Sequence, residues 1–154
     1  MRQRIYIDTS VLGGYYDVEF EIDTKLFFKR IEKKDFNVHL SEISDIELLE
    51  APQRVKDVVK KIPRDCLLKL EFTKEAEDLA GQYIAEKILS EPSFNDAYHI
   101  AISTVNRIDV LVSWNFKHIV NYNKIRLFNA VNLKLGYPTI DIRSPKELII
   151  YEDE

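Results

Sequence analysis

Cysteine is almost missing from this chain of 154 residues, where Cys66 stands alone. A single thiol forms neither an intrachain disulfide nor a cysteine-based zinc site, so nothing points to an oxidising compartment. Glycine and proline are scarce, at four and five residues. With 45% hydrophobic and 31% charged residues, this is the composition of an ordinary folded domain and not of a disordered chain. No apolar run is long enough to span a bilayer, and the first residues lead into a strand without an apolar signal segment. The expectation is a soluble, cytoplasmic protein with no membrane partner. There is no internal repeat and no linker. The length suits one domain, expected over 1–150, with a polar tail at 151–154.

The net charge of −4 argues against a protein that simply coats nucleic acid. Its distribution is uneven. Between Ser113 and Lys146 stand Lys117, Lys124, Arg126, Lys134, Arg143 and Lys146 against Asp141 alone, which makes that stretch +5 and leaves −9 for the remainder. An acidic body with a basic C-terminal third suits an enzyme with a carboxylate site and a track for a polyanion. A merely solvated lysine face gives the same pattern.

Arg4-Ile5-Tyr6-Ile7-Asp8-Thr9-Ser10 organises the rest. Ile5, Tyr6 and Ile7 favour a strand, and Asp8 stops it. An acid at the C-terminal edge of a buried strand lies where open α/β sheets bind ligands. Asp8 also suits the N-cap of a helix starting at Thr9, and both readings stand at this point.

Further along, the pattern predicts a short turn or half-helix at Val11–Gly14, and a helix from Thr24 to Lys34 with Leu26, Phe27 and Ile31 on its apolar face. A strand follows over Asn37–Leu40, then helices over Ile43–Glu50 and Gln53–Ile62. Cys66–Phe72 leans towards a strand or an extended connector. Helices are expected at Thr73–Ile88 and Ser93–Asn106, and a strand at Val110–Ser113. Phe116–Leu135 is expected to be mostly helical with a break near Tyr122-Asn123, and Gly136 to be its C-cap. A short strand at Thr139–Ile142 and a last helical turn at Pro145–Ile150 close the chain. Strands alternating with helices imply a parallel sheet covered on both faces.

Ser44-Asp45-Ile46-Glu47 fits the spacing of a capping box, which alone explains Glu47. A helix after a parallel strand starts at the strand's C-terminal edge, so Glu47 in a first turn lies on Asp8's side. Glu42, Asp45 and Glu50 compete, and periodicity does not separate Glu47 from Glu50. Ser93-Phe94-Asn95-Asp96 repeats the spacing, and Ala97, Ile100, Ala101 and Val105 form the stripe that packs this helix on the sheet. Preceding the strand at Val110, that helix runs back down the sheet with Asp96 at the same edge. Ser113 and Asn115 leave the third strand there.

Three gathered carboxylates repel one another unless a cation joins them. Hard oxygen donors without thiolate suit Mg²⁺ or Mn²⁺, which supports phosphodiester hydrolysis. His39 reads as a strand residue, His99 as a helix-face residue, and His118, which follows the site strand, as a surface residue with contact to substrate as the alternative.

Ile5-Tyr6-Ile7-Asp8-Thr9-Ser10 resembles the opening motif of PIN-domain proteins. Ser41-Glu42-Ile43-Ser44-Asp45-Ile46-Glu47-Leu48 resembles their second motif and selects Glu47 over Glu50. Asp96-Ala97-Tyr98-His99-Ile100-Ala101 resembles the third, and Leu111-Val112-Ser113-Trp114-Asn115 the fourth, which usually ends in an acid. The similarity runs from residue 4 to about residue 120. It implies a three-layer α/β/α sandwich with a mostly parallel sheet. It also implies a metal-dependent endoribonuclease leaving a 5′-phosphate and a 3′-hydroxyl, and the toxin role of VapC-type pairs with a small antitoxin, often as a homodimer. On that resemblance Asp8, Glu47, Asp96 and Asn115 are the catalytic set. Asp8, Glu47 and Asp96 hold Mg²⁺ or Mn²⁺. Ser10, Ser113 and Asn115 orient ligands or water. Lys117, Lys124 and Arg126 are candidates for the RNA backbone. Asn115 in place of an acid lowers the cluster's charge from −4 to −3, which gives an alternative: a catalytically quiet module of the same fold that binds RNA or protein. An aspartyl-phosphate phosphatase with Asp8 as nucleophile ranks last, because that chemistry usually wants a second acid where Ser10 stands.

Overall fold

The computed structural model describes residues 1–150, and the expected polar tail at 151–154 lies outside the described residues. Among the described residues, five parallel strands form one sheet. They are β1 (Gln3–Ile7), β2 (Phe36–Ser41), β3 (Leu67–Leu70), β4 (Val110–Val112) and β5 (Asp141–Arg143). Their order across the sheet is β3-β2-β1-β4-β5. The chain first steps from β1 to β2 and β3, then returns to β1's other side for β4 and β5. The sheet's switch point therefore falls between β1 and β4, the place at the strands' C-terminal ends where open α/β sheets have their binding crevice.

Among the described residues, seven α-helices surround the sheet: α1 (Thr9–Gly14), α2 (Glu21–Glu32), α3 (Glu42–Leu49), α4 (Gln53–Asp57), α5 (Lys74–Ala85), α6 (Phe94–Val105) and α7 (Tyr122–Lys134). Strand alternation sorts them into two layers. Ile5 and Ile7 of β1, with Val110 and Val112 of β4, pack on Val11, Leu12, Phe27, Phe28 and Ile31 of α1 and α2 and on Val55 of α4. Tyr6 and Leu111 point the other way, into Leu79 and Tyr83 of α5, Ala97, Ile100 and Ala101 of α6, and Phe128 and Val131 of α7. The result is the expected α/β/α sandwich, with a sheet that is wholly parallel. Both faces of β1 and β4 are covered, which is why they read as continuous apolar runs.

Several boundaries differ from the sequence pattern for local reasons. The helix expected over Gln53–Ile62 is α at Gln53–Asp57 and tightens to a 3-10 turn at Val58–Lys61. Residues 116–121 are not helical. The Asn115 carbonyl accepts from the Ile119 and Val120 amides at 3.1 and 2.8 Å, closing a turn. Asn121, extended at φ −135° and ψ 117°, then caps a new helix by accepting from Lys124 N. The expected break near Tyr122 is thus the start of α7. Gly136 follows α7 at φ +85°, the left-handed residue expected there.

Candidate active site

Asp8 follows β1 directly. It occupies the N-cap position of α1, but its side chain makes no capping bond. Its carboxylate is buried, and Ser113 Oγ donates to Oδ2 at 2.7 Å while Ser10 Oγ donates to Oδ1. Each serine is itself held by the turn after β4. Trp114 N donates to Ser10 Oγ and Asn115 N to Ser113 Oγ, both at 2.9 Å. The strand-edge reading of Asp8 therefore prevails over the capping one. Trp114 anchors this turn from behind, stacked on Phe20 at 4.3 Å with its indole N–H donating to Thr24 Oγ1. Gly14 lies so close beneath it that a Cβ there would meet Trp114 and Thr24 at 2.8 Å.

Glu47 reaches the same edge by a route the sequence did not indicate. The capping box belongs to Ser41 and Ser44, whose side chains bond each other's backbone N–H, and not to Ser44 and Glu47. The helix starts at Glu42, because β2 ends at Ser41 with extended geometry and its hydroxyl is free to cap. Glu47 consequently sits in the second turn and not the first. Its Oε1 accepts from Thr9 Oγ1 at 3.1 Å and from His99 Nε2. The competing acids are engaged elsewhere or lie apart. Glu42 accepts from Phe72 N at 3.0 Å, Asp45 pairs with Lys69 at 2.6 Å, and Glu50 is the exposed C-cap of α3.

Asp96 is the third residue of α6, at the helix's N-terminal end. The expected Ser93 cap is absent. Ser93 closes a 3-10 turn with φ −101° and ψ 24°, and its hydroxyl cannot take the position an extended N-cap residue gives it. Asp96 Oδ1 instead accepts from Asn115 Nδ2 at 3.2 Å. Asn115 Oδ1 accepts from His118 N at 3.0 Å. The Asn115 amide is thus used at both ends, its oxygen on the backbone and its nitrogen on the acid.

The acids respond unequally to this setting. Burial raises the Asp8 pKa above the ordinary carboxylate value. His99 and the two serine donors offset part of the rise, and the charge of Glu47 adds to it. Burial likewise raises Asp96, against His118 and His99, with Glu47 again adding. Burial also pushes Glu47 up, but the His99 bond and charge, with help from Thr9 and Asn95, outweigh it and leave Glu47 lowered.

Asp8, Glu47, Asp96 and Asn115, with Ser10 and Ser113, all meet at the crevice. Lys117 and Arg126 are exposed, and Arg126 lies over the Tyr122 ring. Lys124 Nζ donates to the Ile88 carbonyl at 3.1 Å and, with His118, lines a cavity of about 480 Å³. His39 is a buried strand residue, as its place in β2 implied. His99 is the residue that sequence reading missed. It is buried on α6, and its ring bridges Glu47 and Tyr6. The available signal was its position three residues after Asp96, on the same helical face.

All the acidic donors are hard oxygens. Among the described residues, no three His, Cys, Asp or Glu side chains close into a ready-made cage for a metal ion. A hydrated Mg²⁺ does not need one, since it keeps several waters and takes one or two carboxylates directly. The upward shifts of Asp8 and Asp96 fit this: crowded, buried negative charge is what a cation relieves.

No family model matches the sequence, and no curated protein matches it. The fold does match solved structures. VapBC2 from Rickettsia felis, bound to a DNA fragment from its promoter, aligns at TM-score 0.58 and 13% identity over 92% of this chain and 98% of that one. FitAcB from Neisseria gonorrhoeae aligns at 0.56 and 14%, over 92% and 97%. VapC20 from Mycobacterium tuberculosis, a toxin that cleaves the sarcin-ricin loop, aligns at 0.54 and 15%, over 89% and 98%.

Proposed function

The chain has a VapC-like PIN-domain fold, and from that premise we propose that it is a divalent-metal-dependent endoribonuclease, acting as the toxin of a toxin–antitoxin pair. The observation that carries this reading is the meeting of Asp8, Glu47 and Asp96 at the switch-point crevice, with Asp8 and Asp96 both held above their ordinary pKa. Asp8, Glu47 and Asp96 hold Mg²⁺ or Mn²⁺, directly or through waters. When bound, the cation neutralises charge on the phosphodiester and lowers the pKa of a water for in-line attack. Ser10 and Ser113 fix the rotamer of Asp8, and Asn115 fixes that of Asp96. Lys117, Lys124 and Arg126 are the candidates for tracking the RNA backbone. The likeness to VapBC2 and FitAcB supports a small antitoxin as partner.

The quiet-module alternative keeps one observation in its favour: Asn115 brings no charge and directs its nitrogen at Asp96. Incubating a mixed RNA pool with the purified protein in Mg²⁺, Mn²⁺ or EDTA separates the two. Cleavage in either metal that stops with EDTA is expected. Absence of cleavage in all three favours the quiet module, and undiminished cleavage in EDTA, once contaminating nuclease is excluded, overturns the metal mechanism.

A further inference from the structure

Beneath the three acids runs a line of buried hydrogen bonds that the proposed chemistry does not use. Ser41 Oγ and Tyr6 Oη are 2.7 Å apart, Tyr6 Oη and His99 Nδ1 are 2.5 Å apart, and His99 Nε2 and Glu47 Oε1 are 2.5 Å apart. Tyr6, Ser41 and His99 are all buried, while a quarter of the Glu47 side chain remains exposed.

The donors and acceptors admit one direction when the imidazole is neutral. A carboxylate only accepts, so His99 Nε2 carries the proton and donates to Glu47. Nδ1 is then a bare lone pair, and Tyr6 O–H donates to it. The Tyr6 oxygen in turn accepts from the Ser41 hydroxyl, whose oxygen accepts from Ser44 N. Burial holds the Tyr6 phenol in its protonated form by raising its pKa.

The placement of the members matters more than their number. Tyr6 lies two residues before Asp8 on β1. His99 lies three residues after Asp96 on α6, on the same face. Ser41 and Glu47 are the N-cap and the second turn of one helix, α3. Each element that delivers an acid therefore also delivers a member of the line. Because Ser41 and Glu47 belong to one helix, the bonds through Tyr6 and His99 close a ring that fixes the rotation of α3 against β1 and α6. The Thr9 and His99 hydrogen bonds to Glu47 both fall on Oε1, and Oε2 lies outside those two.

We infer that Tyr6 and His99 are positioning residues that lock the Glu47 carboxylate, and with it the spacing of the three acids, so that one oxygen faces the metal. The inference rests on the reading of Glu47 as a metal ligand. Outer partners of this kind typically change metal affinity by about 10–100-fold when removed.

Two measurements test it. Imidazole ¹⁵N spectra of the metal-free protein should show His99 with its proton on Nε2, and Tyr6→Phe should shift Nδ1 towards the value of an unbonded lone pair. Calorimetric titration with Mn²⁺ should show affinity falling about 10-fold or more in Tyr6→Phe and about 10–100-fold in His99→Ala. His99→Gln, whose amide N–H can stand in for Nε2–H, should recover most of the loss. Tyr6→Phe keeps the ring, so a folded protein is expected; an amide fingerprint checks this. A proton on Nδ1 alone, an Nδ1 shift indifferent to Tyr6→Phe, or wild-type Mn²⁺ affinity in both Tyr6→Phe and His99→Ala overturns the inference. Should the wild type take up no Mn²⁺ at all, it is the metal reading that fails, and the ring spectra alone decide whether Tyr6 and His99 lock Glu47.

Discussion

Asn115→Asp is the substitution whose outcome the structure constrains most. In the wild type, Asn115 Nδ2 donates to Asp96 Oδ1 at 3.2 Å while Asn115 Oδ1 accepts from His118 N at 3.0 Å. The backbone bond fixes which end of the side chain faces Asp96. In the variant, a carboxylate oxygen takes the place of Nδ2. A hydrogen bond to a charged group, about 1.5–3 kcal/mol, is lost. Two negative charges at 3.2 Å add repulsion of about 1 kcal/mol in a water-like medium, rising to about 5 kcal/mol at an effective dielectric of 20. Protonation of one acid caps the cost, because the pair then shares a proton. Apo destabilisation of about 2–4 kcal/mol follows, or roughly 5–15 °C in Tm for a chain of this length. A divalent cation between the two acids reverses the sign, so Mn²⁺ should bind the variant more tightly than the wild type and raise its Tm by more. The assay is thermal melting at neutral pH with and without Mn²⁺, beside a calorimetric titration. An apo Tm equal to the wild type's would mean that Asn115 does not face Asp96. Equal or weaker Mn²⁺ affinity would place residue 115 outside the metal's reach.

Asp96→Asn separates a structural acid from a ligand. The Asn keeps an acceptor for Asn115 and removes a buried charge, so apo Tm should stay within about 1 kcal/mol of the wild type or rise, while RNA cleavage and Mn²⁺-induced stabilisation disappear. The sign of the pH dependence follows from the raised pKa values. Asp96 and Asp8 bind protons more readily folded than unfolded, so their drain on apo stability is absent below the ordinary carboxylate pKa and grows as pH rises through their folded values. Glu47, lowered, contributes stability that is lost as pH falls through its folded value. The fall in apo Tm between acid and neutral pH should therefore be shallower in Asp96→Asn, and a slope equal to the wild type's would contradict the raised Asp96. Gly14→Ala puts a Cβ at 2.8 Å from Trp114 and Thr24, and should cost about 1–3 kcal/mol in denaturant melts and loosen the turn that holds Ser10 and Ser113; an unchanged midpoint would show that Trp114 moves aside freely.

The chain's local chemistry was enough to give the sheet and the acids' common edge. Ile5-Tyr6-Ile7 and Val110-Leu111-Val112 are apolar throughout because both sheet faces are covered, and an acid or a serine at once after such a run marks the strand's end. Strand–helix alternation then decided which helix starts share that edge, since a parallel crossover leaves little freedom. The particular partners were not legible, because they depend on distance across elements and not along the chain. Ser41 and Ser44 both suited a cap, and only the end of β2 determined which one α3 uses. Asp8 served the cap and the strand-edge readings alike until Ser113, 105 residues away, took its carboxylate. An amide at position 115 can present either end, and the His118 backbone decided that its nitrogen meets Asp96. His99 on an apolar helix face looks like any core histidine in the sequence. Its role appears only when Tyr6 and Glu47, 93 and 52 residues distant, close on its two nitrogens, because a hydrogen bond between side chains is set by where whole elements dock.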